Sequence, residues 1–498
     1  MLDINSTEND EDTALTLASE DCTEDQFLKI HRFKNHEDII IRKLIAHGPV
    51  LIRGGRGSGK SALLIEATNR VRNKYSHIAF AIYISLRYLP LLRSQGQQYE
   101  NNFCSWLGKA ISGELRKQNI SNVFDDTNNV GNLQIKLKEL ARQLGKRIIL
   151  LFDDAAHIGR EAPLTEFFDI FRVLSTDLIS CKASIYPGVT KFGTRFDVYN
   201  DATVIDIVRD ERSSDFEAFF IDVISARYPS LGSDQKFSGT ITASFFAKFL
   251  GRSVLGNIRA LVIACAWFNE KNNIGYKEIT SGLIYMSSNY YWPLLEEVAP
   301  KLGAYEPMVE TAKEICELLF KILGDRTGGS LIVHKNICAK FLKPFEILEY
   351  VGFIARRDVS RAMKSGGRGV VFMANLCNIL EKVHGARITS ELAKNWLDSS
   401  KEMIEIHATS ELLNDLKLPD ISNNNKLSIF DQEIAILIKS NAYPYGLTQA
   451  KVTLLKDNEF LTVGDVADAS DNALLNIDGI GERTVEKIRN VVYQAIWM

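Results

Sequence analysis

Apolar residues along this chain follow two regimes. In the first two-fifths, short apolar runs alternate with longer stretches of helical period. Val50 to Ile52, Ile78 to Ser85, Ile148 to Phe152, Ala183 to Tyr186 and Ala202 to Val208 each read as a buried strand. Such alternation predicts a parallel sheet covered on both faces, an α/β core. Phe27 to His47 carries helical periodicity into the first strand, and a polar, mostly helical stretch runs from the second strand to Gly145. From Ser213 to about Pro300 the period is helical throughout, as in Phe245, Phe246, Phe249 and Leu250.

Beyond Tyr305 both periods mix. A helix through Ala312, Ile315, Leu319 and Ile322 is broken at Gly324, Gly328 and Gly329, and a second, through Phe345 and Leu348, ends at Gly352. The segment Phe353 to Phe372 reads as a hairpin whose tip holds Gly366, Gly367 and Gly369. This unit, Tyr305 to Leu376, looks like a winged helix. Ile388 to Ile438 reads as a helical connector, with the polar break Asp420 to Asn425 as its linker. The expected division is 1–25 acidic tail, 26–212 core, 213–303 helical lid, 304–380 winged helix, 381–430 connector and 431–498 an all-α end.

Composition narrows the class. With 498 residues, 46% apolar and 24% charged, the chain resembles a multidomain globular protein. No apolar run approaches a membrane span, and the N-terminus is acidic where a targeting peptide would be basic, so a cytoplasmic protein is expected. Seven cysteines without a C-x-x-C pair argue against a zinc site and for reduced thiols. The net charge of -3 does not advertise nucleic-acid binding, so any DNA contact must come from local patches. Residues 1–25 hold nine acids and no base. A solvated tail is the first reading and an autoinhibitory mimic of DNA the second.

The sharpest chemistry follows the first strand. Gly54, Gly59, Lys60 and Ser61 fill the pattern G-x-x-x-x-G-K-[ST], with Gly55, Arg56, Gly57 and Ser58 between and Ala62 next. Glycines let the backbone curl so that successive N–H groups converge on a polyphosphate at the positive end of a helix. Lys60 would reach the β- and γ-phosphates of ATP, and Ser61 would complete a Mg²⁺ shell. A second run, Ile148 to Phe152, ends in Asp153 and Asp154, putting carboxylates at a strand tip where ligands of open α/β sheets sit. Asp153 would hold the Mg²⁺ water shell, and Asp154 would polarise the attacking water.

At Leu255-Gly-Asn-Ile-Arg259-Ala-Leu261 the chain resembles the origin-recognition and initiator clade of AAA+ ATPases, with the related STAND-type ATPases. The resemblance implies a P-loop NTPase core under a helical lid, with Arg259 as a second sensor on the nucleotide phosphates. Asp154 stands where most AAA+ ATPases carry Glu, which implies slow turnover or a nucleotide-gated switch. The polar first sensor has no clean equivalent; Ser184, Tyr186 and Thr190 are the alternatives. Arg195 is the candidate for a finger reaching a neighbouring subunit's γ-phosphate in a homo-oligomer, a plain surface arginine being the competing reading.

Two segments are candidates for double-stranded DNA. Arg356, Arg357, Arg361, Lys364 and Arg368 line the hairpin and could lie on phosphates without reading bases. The run Asn476-Ile-Asp-Gly479-Ile-Gly481-Glu-Arg483-Thr484, continuing to Lys487, resembles a helix-hairpin-helix module like that of the bacterial RNA polymerase α subunit. Its glycines permit a tight turn, and N–H groups at the second helix start would hold a phosphate, with Arg483, Thr484 and Lys487 adding contacts. The expectation is a DNA-associated ATPase whose nucleotide state controls DNA engagement or self-assembly, with a place in a bacterial antiviral or mobile-element system open. The alternative is a STAND-type scaffold that latches an effector protein through protein contacts.

Overall fold

The computed structural model describes residues 18–497 apart from 121–123, 125–126, 157–160, 190–191, 194, 326–328, 399–402, 414, 422–426 and 441–445. Five parallel strands form the first sheet: β1 (Val50–Arg53), β2 (Ala79–Ser85), β3 (Arg147–Ala156), β4 (Ile179–Ile185) and β5 (Thr203–Asp206). Their order, β2-β3-β4-β1-β5, puts β1 between two strands far from it in sequence. Alternation along the strands serves both faces. Leu51, Ile148, Leu150 and Phe152 join one apolar cluster, while Val50, Ile52, Ile149 and Leu151 join another with helix residues Ile41, Leu44, Leu63 and Leu64. The core is thus the expected α/β P-loop fold.

The helix expected over Phe27 to His47 is two, Glu24–Ile30 and Asn35–Ile45. The acidic tail was expected to reach Asp25, and its residues 1–17 lie outside the described residues. Its end is built into the fold: Ser19–Asp21 make a 3₁₀ turn, and Thr23 caps the next helix through a capping box.

Among the described residues of the second half, four strands form a second sheet: β6 (Ser330–His334), β7 (Ile354–Ala362), β8 (Arg368–Ala374) and β9 (Ile404–Ile406), in the order β7-β8-β6-β9. β7 and β8 are the expected antiparallel hairpin. Among its described residues, the stretch expected as a helical connector contains one α-helix, Ser390–Leu397, and then β9, which adds to the sheet in parallel with β6. One continuous apolar core runs from Phe216 in the lid to Leu413, so lid and second sheet pack as one body. The linker expected at Asp420 to Asn425 falls largely outside the described residues.

A further apolar cluster lies in the C-terminal end, where Ile477, Ile480, Val485 and Ile488 meet. It includes Leu89, from the short helix Leu89–Leu92 just past β2, and Arg93 beside it pairs with Asp468 and stacks 4.7 Å from the Phe430 ring. Among the described residues no helix is long and apolar enough to cross a membrane.

Candidate functional site

β1 runs between β4 and β5, and at its end the chain curls through residues 54–59 into the helix Lys60–Lys74. Gly57 and Gly59 stand at φ +81° and +96°, a region that penalises a β-carbon. Lys60 is buried, and its ammonium donates to the carbonyls of Gly54 (2.8 Å) and Gly55 (3.1 Å) and lies 3.5 Å from the centre of the Tyr186 ring. Burial pulls its pKa down to about 7, against the opposing pull of Asp154 and Asp153.

Those aspartates sit where the β3–β4 register slips, between Phe152 and Ala156, and Asp154 adopts φ +53°. Both are essentially inaccessible to solvent. Asp153 accepts from Tyr83 (2.8 Å), Ser184 (2.6 Å) and Ser61. Burial, then Asp154 and Glu20, push its pKa up to about 6 against the serine hydroxyls. Asp154 accepts from Arg87 Nε at 2.6 Å and the Tyr186 hydroxyl at 3.1 Å, while its N–H donates to Ser184 at 2.9 Å. Of the three first-sensor alternatives, Ser184 and Tyr186 touch the aspartates, and Thr190 lies outside the described residues. Ser61 and Asp153, an alcohol and a carboxylate within hydrogen-bonding reach, are hard oxygen donors of the kind Mg²⁺ takes.

The lid meets the loop through backbone. Asn257 caps the helix Ile258–Asn269 with its side-chain oxygen and donates its amide to the Arg56 carbonyl at 2.6 Å. The N–H groups of Ile258 and Arg259 donate to the Gly57 carbonyl at 3.1 and 3.2 Å. Arg209 ties the same region together, donating to Glu37 (2.9 Å), Ser58 O (3.3 Å) and Gly256 O (3.1 Å). A β-carbon on Gly57 would come within 2.5 Å of Asn257 Oδ1 and 2.6 Å of Arg259 Cβ. Gly57→Ala is therefore expected to destabilise the fold by about 2 kcal/mol or more in urea denaturation. Gly48→Ala, at φ +92° with nothing near its β-carbon, is the control that loses the backbone term alone.

Between loop, lid and N-terminal helices lies a cavity partly open to solvent. Its polar end is lined by Gly57, Ser58, Gly59, Lys60, Ser61, Arg87 and Arg259, and Ala62 also faces it. Apolar and aromatic side chains, among them Phe33, Phe219, Val223 and Val262, line it as well. His31 lines it as a neutral ring: burial, then Arg227, lower its pKa to about 4, and it stacks on Phe27 at 4.2 Å. A cleft lined by polar and apolar groups in about equal measure suits a small amphiphilic ligand.

Not every expected residue faces this cavity. Gly54 and Gly55 lie on the far side, where a β-carbon on Gly55 would meet the Glu349 carbonyl at 2.8 Å. Arg56 turns its side chain away from the cavity to Glu297 Oε2 at 2.8 Å, and its N–H donates to the Tyr350 carbonyl at 2.9 Å. Arg195 is exposed outside the cavity, its N–H on Asp169.

Sequence reasoning missed Tyr83, Arg87, Glu20 and Arg209. For the first two there was a signal: they lie on and just past the predicted second strand, on the carboxyl edge that carries ligands in open α/β sheets.

The two outlying patches differ in readiness. On the hairpin, Arg356 pairs with Glu349 at 2.6 Å and Arg357 with Glu211 at 3.2 Å, and both are half-buried. Arg361, Lys364 and Arg368 are exposed around the glycine tip, Arg368 bonding to Ser360. In the C-terminal pair, Gly479 takes φ +85°, Ile480 is buried, and the helix Glu482–Trp497 starts behind Gly481. Gly479, Gly481, Arg483 and Lys487 are exposed and Thr484 half-buried.

No protein-family model matches this chain, and no curated protein matches it. Solved structures resemble it at low identity. A Walker-type ATPase of Pyrococcus abyssi is 14% identical, covering 70% of this chain and 94% of its own, with a TM-score of 0.43. The ORC of Drosophila bound to DNA is 10% identical over 78% of this chain and 93% of its own, TM-score 0.34. Domain III of the replication initiation protein DnaA of Thermotoga maritima is 16% identical over 52% and 94%, TM-score 0.29. At these scores the likeness carries no functional argument, and the fold class rests on the strand order and the loop.

Proposed function

We propose that this protein is an ATP-binding and ATP-hydrolysing switch of the AAA+ initiator-like type, whose nucleotide state governs engagement of double-stranded DNA and self-assembly. The observation that carries this reading is a shared cavity: Lys60 and Ser61 from the loop and Arg259 from the lid line one space, and the lid backbone holds the Gly57 carbonyl. A phosphate chain bound there would touch both bodies, so its length would bias their relative position.

Ser61 and Asp153 would hold Mg²⁺, which supplies charge neutralisation on the transferring phosphate. Lys60 would exchange its two carbonyl partners for phosphate oxygens. Asp154 would orient the attacking water, but in this geometry its carboxylate is held by Arg87 and Tyr186, which supports slow turnover. The hairpin tip (Arg361, Lys364, Arg368) and the exposed face around Gly479, Gly481, Arg483 and Lys487 would contact the DNA backbone without base reading.

The test is anisotropy of labelled duplex DNA with ATP, ADP or no nucleotide across a salt series. ATP is expected to tighten binding more than ADP, and affinity to fall steeply with salt. Replacing Arg361, Lys364 and Arg368 together with alanine is expected to reduce the log–log salt slope by up to about three, near one per lost phosphate contact. A flat salt response would rule out phosphate neutralisation. Failure to retain DNA even at low salt would favour the alternative, a nucleotide latch that holds a partner protein.

A further inference from the structure

The turn Ser19–Asp21, at the end of the acidic segment, lies over the polar end of the cavity, and Ala18, Ser19 and Glu20 line it. Glu20 Oε1 stands 2.7 Å from Arg87 Nη2, while Arg87 Nε donates to Asp154 at 2.6 Å. One guanidinium therefore bridges a carboxylate fixed on β3 and another carried by a three-residue turn. We propose that Glu20 competes with the terminal phosphate of a nucleoside triphosphate for Arg87, so that triphosphate displaces the N-terminal turn and diphosphate does not. This inference rests on the nucleotide reading given above and deepens it by naming what distinguishes the two ligands.

Three observations carry it. Arg87 lines the same end of the cavity as Gly59, Lys60, Ser61 and Arg259, and a guanidinium fork suits a phosphate at least as well as a carboxylate. Asp153, Asp154 and Glu20 already gather three carboxylates here, Asp154 and Glu20 on Arg87 itself and Asp153 beside them on the Tyr83 hydroxyl. A terminal phosphate adds further negative charge, which must repel a carboxylate.

Of the three, Asp153 and Asp154 are locked into β3 by hydrogen bonds from Tyr83, Ser184 and Tyr186. Glu20 sits on a turn with no side-chain cap, tied to the helices beneath by the Ser19–His31 hydrogen bond at 3.1 Å. It is the carboxylate whose departure disturbs least. A diphosphate ends one phosphate short and leaves the pair in place; a ligand shifts an equilibrium only through such a difference in contacts.

The experiment titrates the full chain with fluorescent ADP and a fluorescent non-hydrolysable ATP analogue. Glu20→Gln is expected to tighten the triphosphate about tenfold and to leave the diphosphate within about twofold. Arg87→Gln is expected to erase that gain when combined with Glu20→Gln. Limited trypsin digestion of the wild type should open Lys29 and Arg32 with the triphosphate analogue and not with ADP.

Equal effects of Glu20→Gln on both ligands would overturn the proposal. So would unchanged affinities with lost hydrolysis, which would make Glu20 a water-activating group instead. These outcomes leave nucleotide binding intact, whereas binding insensitive to Lys60→Ala would overturn the nucleotide reading itself.

Discussion

Lys60→Ala is expected to weaken ATP binding by two orders of magnitude or more, read by isothermal titration, and to abolish the ATP-over-ADP difference in DNA affinity. In a bound complex the ammonium would make charge-assisted hydrogen bonds to phosphate oxygens, each worth about 1.5–3 kcal/mol, and two of them account for the loss. The cost to the fold is smaller, because two effects oppose. The Gly54 and Gly55 carbonyls lose their donor, but the substitution also removes an ammonium whose burial is unfavourable enough to bring its pKa down to about 7. The unfolding free energy from urea denaturation should therefore fall by no more than about 2 kcal/mol. Unchanged ATP affinity in a folded variant would sink the assignment of this loop as the phosphate site.

Glu297→Ala is expected to be the most destabilising substitution considered, by about 3–5 kcal/mol in chemical denaturation. Glu297 lies between Arg56 and Lys301, and all three side chains are nearly inaccessible, at 2–4% exposure. Removing the acid leaves two buried cations facing each other. Arg56→Met leaves the Glu297–Lys301 pair intact and should be markedly milder, so the contrast separates the charge effect from simple loss of packing.

The same group sets an acid limb. Burial pushes the Glu297 pKa up, yet Arg56 and Lys301 outweigh it and hold it below its ordinary value of 4.5. A depressed folded value means the contribution is complete above 4.5 and is lost as pH falls through the lower folded value. Stability of the wild type should decline across that window, and Glu297→Ala should flatten this part of the profile.

This ion cluster also shows how much of the site was legible beforehand. Arg56 was read as a loop residue near phosphate; its side chain instead anchors the loop to the helix Trp292–Val298, across a sequence separation of 241. Nothing about Glu297 in its own helix distinguishes it from a solvated acid, because the partner that keeps it buried is far away in the chain. Arg356 and Arg357 make the same point from the other side. A basic hairpin pattern reads alike whether an arginine faces DNA phosphate or a carboxylate of its own protein, and only packing assigned these two to Glu349 and Glu211.

Local physics, by contrast, was legible. Glycine spacing in residues 54–61 dictates a positive-φ curl between strand and helix, and the run Ile148 to Phe152 dictates a buried strand ending in carboxylates, because both depend on neighbours within a turn or two. The hairpin from Phe353 and the Gly479–Gly481 turn are legible for the same reason. The sequence by itself thus determined an α/β P-loop core, a helical second part, a basic hairpin and a C-terminal helical pair.

Only the tertiary structure decided what closes over the loop. The lid meets it through N–H groups of Ile258 and Arg259, Arg87 reaches across from the tip of β2 to Asp154, and the end of the acidic segment folds back to set Glu20 on Arg87. Backbone N–H groups carry no sequence signature, and ion pairs between distant elements depend on the order of strands in the sheet, which periodicity along one strand does not encode.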